Sequence, residues 1–212
     1  IGFSEFLKDQ AATQGWDNQT KEFLNDIRFS GQRLLATINN VLEMANLEAG
    51  RIELDESTID LSRMLKGVVE KFHTAASDKG ISLDARGAEQ AVFLRGDYDV
   101  IRRAIGNIVS NAIKFTQDGG VYISAMSRPS GDIEIAVTDT GVGMTQEEAL
   151  AIIEPFRQAD TSLSGTHEGS GLGVPLTKAL LRLHGGELEI QSEPSVGTTI
   201  SVILPADRVQ DA

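Results

Sequence analysis

The stretch NIVSNAIKFT, Asn107 to Thr116, decides how the chain is read. It has the pattern of a helix, yet it carries two asparagines four residues apart and a lysine three residues beyond the second. Asparagine is a mediocre helix former, because its short amide competes for backbone hydrogen bonds. At about 3.6 residues per turn, Asn107, Asn111 and Lys114 share one face. The neighbouring face carries Ile101, Ile105, Ile108, Ala112 and Phe115. Such a helix buries one side and aims two amides and an ammonium along another. Alone, the stretch reads equally well as a solvated, amide-rich face.

Downstream, DIEIAVTDTGVGM (residues 132–144) places Ile133, Ile135, Val137 and Asp139 on one face of a strand, so an apolar row ends in a carboxylate. A buried carboxylate needs hydrogen-bond donors. Gly141 and Gly143 follow it and permit backbone conformations and close approaches closed to other residues. The pattern fits a capped turn; it also fits a pocket whose carboxylate accepts from an amino group on a planar ligand. Further on, EGSGLGVPL (168–176) sets Gly169, Gly171 and Gly173 ahead of a helix with Pro175 in its first turn. A glycine run opening a helix offers free N–H groups and the positive dipole end to a phosphate. The small residues 159–170 predict a mobile lid, and Phe156 in EPFRQ (154–158) an anchor for it.

The surrounding elements predict an α+β chain in two domains, residues 1–50 and 51–212. The first is a helical hairpin. Its first arm has Ile1, Phe3, Phe6 and Leu7, and a break falls at TQGWDNQ (13–19). Its second arm is a long helix from about Asn18 to Leu47, with Phe23, Ile27, Leu34, Ile38, Val41 and Ala45 in a heptad-like seam joined by Ser30 and Thr37. A helix of about thirty residues is roughly 45 Å long, too long for a short partner to cover, which predicts a four-helix bundle completed by a second copy. Beyond Gly50, RIEL reads as a strand, Asp60 as the cap of a helix from Leu61, ISLDARG and AVFLRGD as strands, and Asp97 as the cap of the asparagine helix. GGVYISAM and DIEIAVTD form a hairpin over RPSG. TQEEALAII is a short helix, a further helix runs up to His184, and GELEIQSE and GTTISVILP form a last hairpin. Largely antiparallel strands mixed with helices predict a two-layer α/β sandwich. The tail ADRVQDA reads as frayed.

Composition excludes several classes. Lys+Arg number 19 and Asp+Glu 31, a net charge of −12 that argues against nucleic acid and anionic membrane surfaces as partners. There is no cysteine, which fits a reducing, cytoplasmic setting and rules out disulfides. No run of about 18 apolar residues could span a bilayer. The chain starts at Ile1 in mid-pattern, which predicts a fragment of a longer protein.

Taken in order, these motifs resemble those of sensor histidine kinases of two-component systems, whose catalytic domain has the Bergerat/GHKL-type ATP-binding fold. NIVSNAIKFT is similar to the family's asparagine box, DTGVGM to its first glycine box, EPFRQ to its phenylalanine box and GSGLG to its second glycine box. IGFSEFL and LLATINNVLEMANLEAG resemble its dimerisation and phosphotransfer bundle, so the resemblance covers nearly the whole chain. It implies a kinase that binds Mg²⁺ and ATP, passes the γ-phosphoryl to a histidine of the bundle, and relays it to a response-regulator aspartate. It implies Asn111 as Mg²⁺ ligand, Asn107 beside the metal and phosphates, Lys114 as neutraliser of phosphate charge, and Phe115 near the adenine. Asp139 would accept from the adenine amino group, and Gly141 and Gly143 would let the base approach. Gly169, Gly171, Leu172 and Gly173 would wrap the phosphates, and Thr198 or Thr199 would hold the adenine site through water.

Two departures stand out. None of His73, His167 and His184 has the family's acceptor context, so either the acceptor is expected upstream of Ile1 or the parent protein carries another residue in its place. His184 reads as a helix C-terminal residue favoured by the dipole. GVPL also replaces the usual aliphatic run after the lid. Two rivals remain. A hydrolytic ATPase of the same fold would need a water-activating glutamate where this chain has Asn107, and an amide is no general base. A nucleotide-binding scaffold without phosphotransfer would retain the same boxes.

Overall fold

The computed structural model describes residues 7, 17–86, 92–155, 157 and 171–210. The chain divides into two compact units, Ile1–Ala45 and Asn46–Ala212. In the first, helix α1 (Asn18–Glu48) starts where Asp17 Oδ1 accepts from the Thr20 N–H at 2.7 Å. It ends where Gly50, at φ +62°, turns the chain so that the Gly50 and Arg51 N–H groups reach the Leu47 and Asn46 carbonyls. Its seam residues Phe23, Ile27, Leu34, Ile38, Val41 and Ala45 are exposed in the single chain. Ile1, Phe3, Phe6 and the break at 13–16 lie outside the described residues.

The second unit runs β1 (Glu56–Asp60), α2 (Leu61–Asp78), β2 (Ser82–Arg86), β3 (Phe93–Asp97), α3 (Tyr98–Phe115), β4 (Gly120–Ser127), β5 (Ile133–Asp139), α4 (Gln146–Ala151), α5 (Gly173–Leu183), β6 (Glu187–Glu193) and β7 (Gly197–Leu204). A 3₁₀ turn (Ala206–Arg208) and β8 (Val209–Gln210) complete it. Strands β2-β4-β5-β7-β6 form one sheet, parallel only between β2 and β4 and antiparallel elsewhere. This is the mixed, mainly antiparallel α/β architecture that the pattern predicts. A second sheet, β1-β3-β8, is antiparallel throughout.

Helices α2, α3 and α5 cover one face of the larger sheet. Alternation explains the layering: Ile133, Ile135 and Val137 face the helices and are buried, whereas Glu134, Ala136 and Thr138 face outward. On the outer face Arg128 bridges Glu134 and Glu189 at 2.8 and 2.9 Å. Helix α3 is the centre of the core, burying Val100, Ile101, Ala104, Ile105, Gly106, Ile108, Val109, Ala112 and Ile113.

Three expectations need correction. RIEL is not a strand; the strand begins at Glu56, in register with β3, and Leu54 instead packs with Val100, Leu176 and Leu180. The tail is not frayed as far as Gln210: Phe93 and Leu94 pair with Gln210 and Val209, and Thr58 Oγ1 donates to Gln210 Oε1 at 2.7 Å. A short polar tail carries no apolar run to reveal that pairing. Phe115 does not join the apolar face; its side chain is 41% exposed at the end of α3.

Candidate functional site

The helix-facing side of the large sheet is apolar along three rows and polar in the fourth. Ile133 pairs with Leu204, Ile135 with Val202 and Val137 with Ile200, and the next position of this parity joins Asp139 to Thr198. β6 extends the rows with Leu188, Ile190 and Ser192. Asp139 Oδ1 accepts from the Gly141 N–H at 2.8 Å and the Thr198 N–H at 3.3 Å. Its Oδ2 has no hydrogen-bond partner among the described residues. Burial pushes the Asp139 carboxyl above the ordinary carboxylate range, and those two N–H groups pull it partly back. Ser192 Oγ lies 2.8 Å from Thr198 Oγ1 and accepts from the Met144 N–H at 2.8 Å, so the row is linked sideways. Thr199, one residue on, faces the other way and bonds Thr138 at 3.0 Å.

The loop after Asp139 is pressed against backbone on two sides. A Cβ on Gly141 would lie 2.5 Å from the Phe115 carbonyl oxygen and 2.9 Å from Asp139 Oδ1. Gly143, at φ +64°, would drive a Cβ into the Glu193 carbonyl. The Val142 N–H reaches the Phe115 carbonyl at 3.4 Å, and the Ser195 N–H reaches the Val142 carbonyl at 2.7 Å. These glycines are therefore required by the loop's own packing between the end of α3 and the β6–β7 turn.

On α3, Asn107, Asn111 and Lys114 are partly exposed and share the face that the helix period gives them. A Cβ on Gly173 would come within 3.6 Å of Asn111 Nδ2, so the start of α5 lies against the second asparagine. Gly171 sits at φ +66°. Leu172 is buried, so its side chain belongs to the core and only its backbone faces the helix entrance. Lys114 Nζ stands 4.7 Å from the Phe115 ring centroid. Phe156, Gln158 and the lid residues 159–170, Gly169 and His167 among them, lie outside the described residues.

The structure thus brings together Asn111 with Gly173, Lys114 with Phe115, and Asp139 with Thr198; the Phe115 carbonyl against Gly141 joins the last two pairs. Sequence reasoning passed over two contributors, Ser192 and Lys79, and misjudged a third, His184. Ser192 continues the polar row, and the parity of Leu188, Ile190 and Ser192 was the available signal. Lys79 Nζ donates to the carbonyls of Ile113, Lys114 and Thr116 at 2.8, 2.7 and 3.1 Å, clasping the end of α3 from the end of α2. His184 does end α5, but it is buried and its Nε2 accepts from the Asp97 N–H at 3.0 Å, so it acts there as a neutral acceptor and not as a cation favoured by the dipole.

Among the described residues no group of three or more His, Cys, Asp or Glu side chains could hold a metal, and no helix is long and apolar enough to cross a membrane. An amide oxygen such as that of Asn111 is a hard donor suited to Mg²⁺ without any such cluster.

The sequence profile of the histidine kinase-, DNA gyrase B- and HSP90-like ATPases matches residues 96–208. The "Non-motile and phage-resistance protein" of Caulobacter vibrioides is 38% identical over 208 residues, covering 96% of this chain and 25% of that protein. The "Cell-division control histidine kinase PdhS" of Brucella anthropi is 30% identical over 218 residues, 99% of this chain and 21% of the relative. The chain therefore spans about a quarter or less of these curated relatives. Among solved structures, full-length ShkA in complex with AMPPNP superposes with a TM-score of 0.77 at 28% identity, covering 89% of this chain and 39% of that one.

Proposed function

The chain belongs to the histidine kinase-, DNA gyrase B- and HSP90-like ATPase family, and from that premise we propose that it is the core of an ATP-dependent protein-histidine kinase. In this reading ATP binds in the second unit, and its γ-phosphoryl passes to a histidine nitrogen of the bundle, leaving ADP. The phosphoryl then moves to a response-regulator aspartate. The observation that carries the reading is the polar row at the inner end of the sheet, where Asp139 keeps one oxygen without a partner among the described residues. A half-buried carboxylate with a spare acceptor suits the amino group of adenine.

Around it, Thr198 and Ser192 hold the base side, with Phe115 near the base. Asn107, Lys114, Gly171, Gly173 and the Leu172 backbone, joined by Gly169, take the phosphates. Asn111 would hold Mg²⁺, which neutralises phosphate charge when bound. The chain's own contribution is positioning and electrostatic complementarity rather than proton chemistry. Asn107 favours transfer over hydrolysis, because an amide cannot activate water as a base. Support from relatives is of the same kind: one is named a histidine kinase, and the full-length structure was solved with an ATP analogue. We further assign the exposed seam of α1 to a homodimer built with a second copy of the chain, in a cytoplasmic setting.

Calorimetric titration tests the reading. ATP and ADP should bind in preference to GTP by about 1–3 kcal/mol, since a carbonyl facing the half-buried Asp139 would set two acceptors against each other. Asp139→Asn, nearly isosteric, should lose about tenfold or more in adenine-nucleotide affinity while melting as a folded protein. Equal binding of GTP, or unchanged affinity in the variant, would return Asp139 to a turn residue.

A further inference from the structure

His184 ends helix α5 inside the protein. Its Nε2 accepts from the Asp97 backbone N–H at 3.0 Å, which requires that nitrogen to be unprotonated. Its Nδ1 lies 3.3 Å from the Leu180 carbonyl, which requires the proton there. The neutral Nδ1–H tautomer satisfies both contacts, and an imidazolium satisfies one. The ring packs flush on β3, where a Cβ on Gly96 would lie 3.1 Å from His184 Cδ2.

Asp97 is also the N-cap of α3. Its Oδ1 accepts from the Asp99 and Val100 N–H groups at 3.0 and 3.1 Å, and its Oδ2 from the Asp55 N–H at 3.0 Å. One imidazole therefore ties the last turn of α5 to the first turn of α3. At the opposite end of α5, Gly173 rests against Asn111 of α3. Between these ends Val100 packs with Leu176 and Leu180, so the two helices lie against each other from His184 and Asp97 at one end to Gly173 and Asn111 at the other, where the groups assigned to the nucleotide stand.

We propose that His184 is a positioning residue for the nucleotide site: as a neutral imidazole it sets the register of α5 against α3, and its protonation releases that register and weakens nucleotide binding. The inference rests on the nucleotide-site reading above. The charged groups around the ring come from every neighbouring element. Arg208 of the 3₁₀ turn donates through Nε to the His184 carbonyl at 2.6 Å and through Nη1 to Glu56 of β1 at 2.6 Å. Arg95 of β3 also pairs with Glu56, at 2.9 Å, and Asp97 stands at the head of α3. Burial pulls the His184 pKa below its ordinary value, and Arg208 adds to this. The Leu180 carbonyl, Asp97 and Glu56 oppose it without reversing the sign.

The sign of the pH dependence follows. The folded pKa is depressed, so the unfolded chain takes up the proton first. The stabilising contribution is fully present above about pH 6.5 and is lost as pH falls from there through the lower folded value. Nucleotide affinity should fall as the folded-state pKa is crossed.

The test is titration of MgADP into the whole chain in steps from pH 7.5 down to the lowest pH at which melting curves show the fold intact. His184→Gln keeps an acceptor for Asp97 and does not titrate; His184→Leu removes the acceptor. Asp139 and the nucleotide phosphates titrate in all three proteins, so differences between them isolate the imidazole. The unaltered chain should lose affinity on acidification that His184→Gln keeps, the gap widening as pH falls through the depressed folded value, and His184→Leu should bind about tenfold more weakly at pH 7.5. A parallel loss in His184→Gln, or full affinity in folded His184→Leu, overturns the positioning role alone. No binding of MgADP by the unaltered chain at pH 7.5 overturns the nucleotide reading along with it.

Discussion

Helices α1 and α3 are both amphipathic, and their apolar faces have opposite fates. The nine buried residues of α3 lie against the sheet and its neighbouring helices, and both ends of that helix are clasped, by Asp97 and by Lys79. The seam of α1 is exposed in the single chain: Leu34 is 62% and Ile38 47% exposed. The difference teaches where each helix draws its stability. Helix α3 is held by its own chain. Helix α1 carries an apolar stripe that is exposed, and an isolated helix gains little from propensity alone.

The largest expected effect separates these fates directly. Ile105→Glu puts an unpaired charge into the core of the second unit and should cost about 4 kcal/mol or more, enough to unfold a marginal domain. Ile38→Glu, the same change on α1, should leave the melting of the second unit unaltered while abolishing self-association in sedimentation. An unaltered chain that is monomeric at high micromolar concentration would break the comparison, because the α1 seam would then have no self-partner.

A smaller effect sharpens the account of α3. Lys79→Met keeps the aliphatic stem and removes the ammonium that satisfies three carbonyls at the helix end. Thermal denaturation should show a loss of about 2 kcal/mol. An unchanged melting curve would mean that water serves those carbonyls equally well. Smaller again, Asp97→Ala removes the side-chain cap at the other end and should cost about 1 kcal/mol by denaturant titration. A loss well above that would show that the cap also carries the Asp55 connection.

Much of this architecture was legible in the residues. The period of Ile101, Ile105, Ile108 and Ala112 placed the buried face of α3, and strand parity placed Asp139 at the end of an apolar row. Asp60 and Asp97 announced the helices that they cap. Each of these signals is local, confined to neighbours along one helix or strand. The misses share the opposite character. Lys79 lies 35 residues from the Lys114 carbonyl that it caps, and Thr58 lies 152 residues from Gln210. Nothing in the spacing of a lone lysine or a polar tail encodes a partner so far along the chain.

By itself the sequence determined the elements, their buried faces and the order of the motifs, because side-chain periodicity and capping chemistry act over one or two helical turns. The tertiary structure alone decided which polar groups spend their hydrogen-bonding capacity on the scaffold and which keep it in reserve. His184 and Lys79 are consumed in holding α3, while Asp139 Oδ2 keeps capacity to spare among the described residues. That division depends on which buried donors and acceptors meet when distant segments pack. Desolvation makes each unmet group costly, so its partners are settled only once the core has closed.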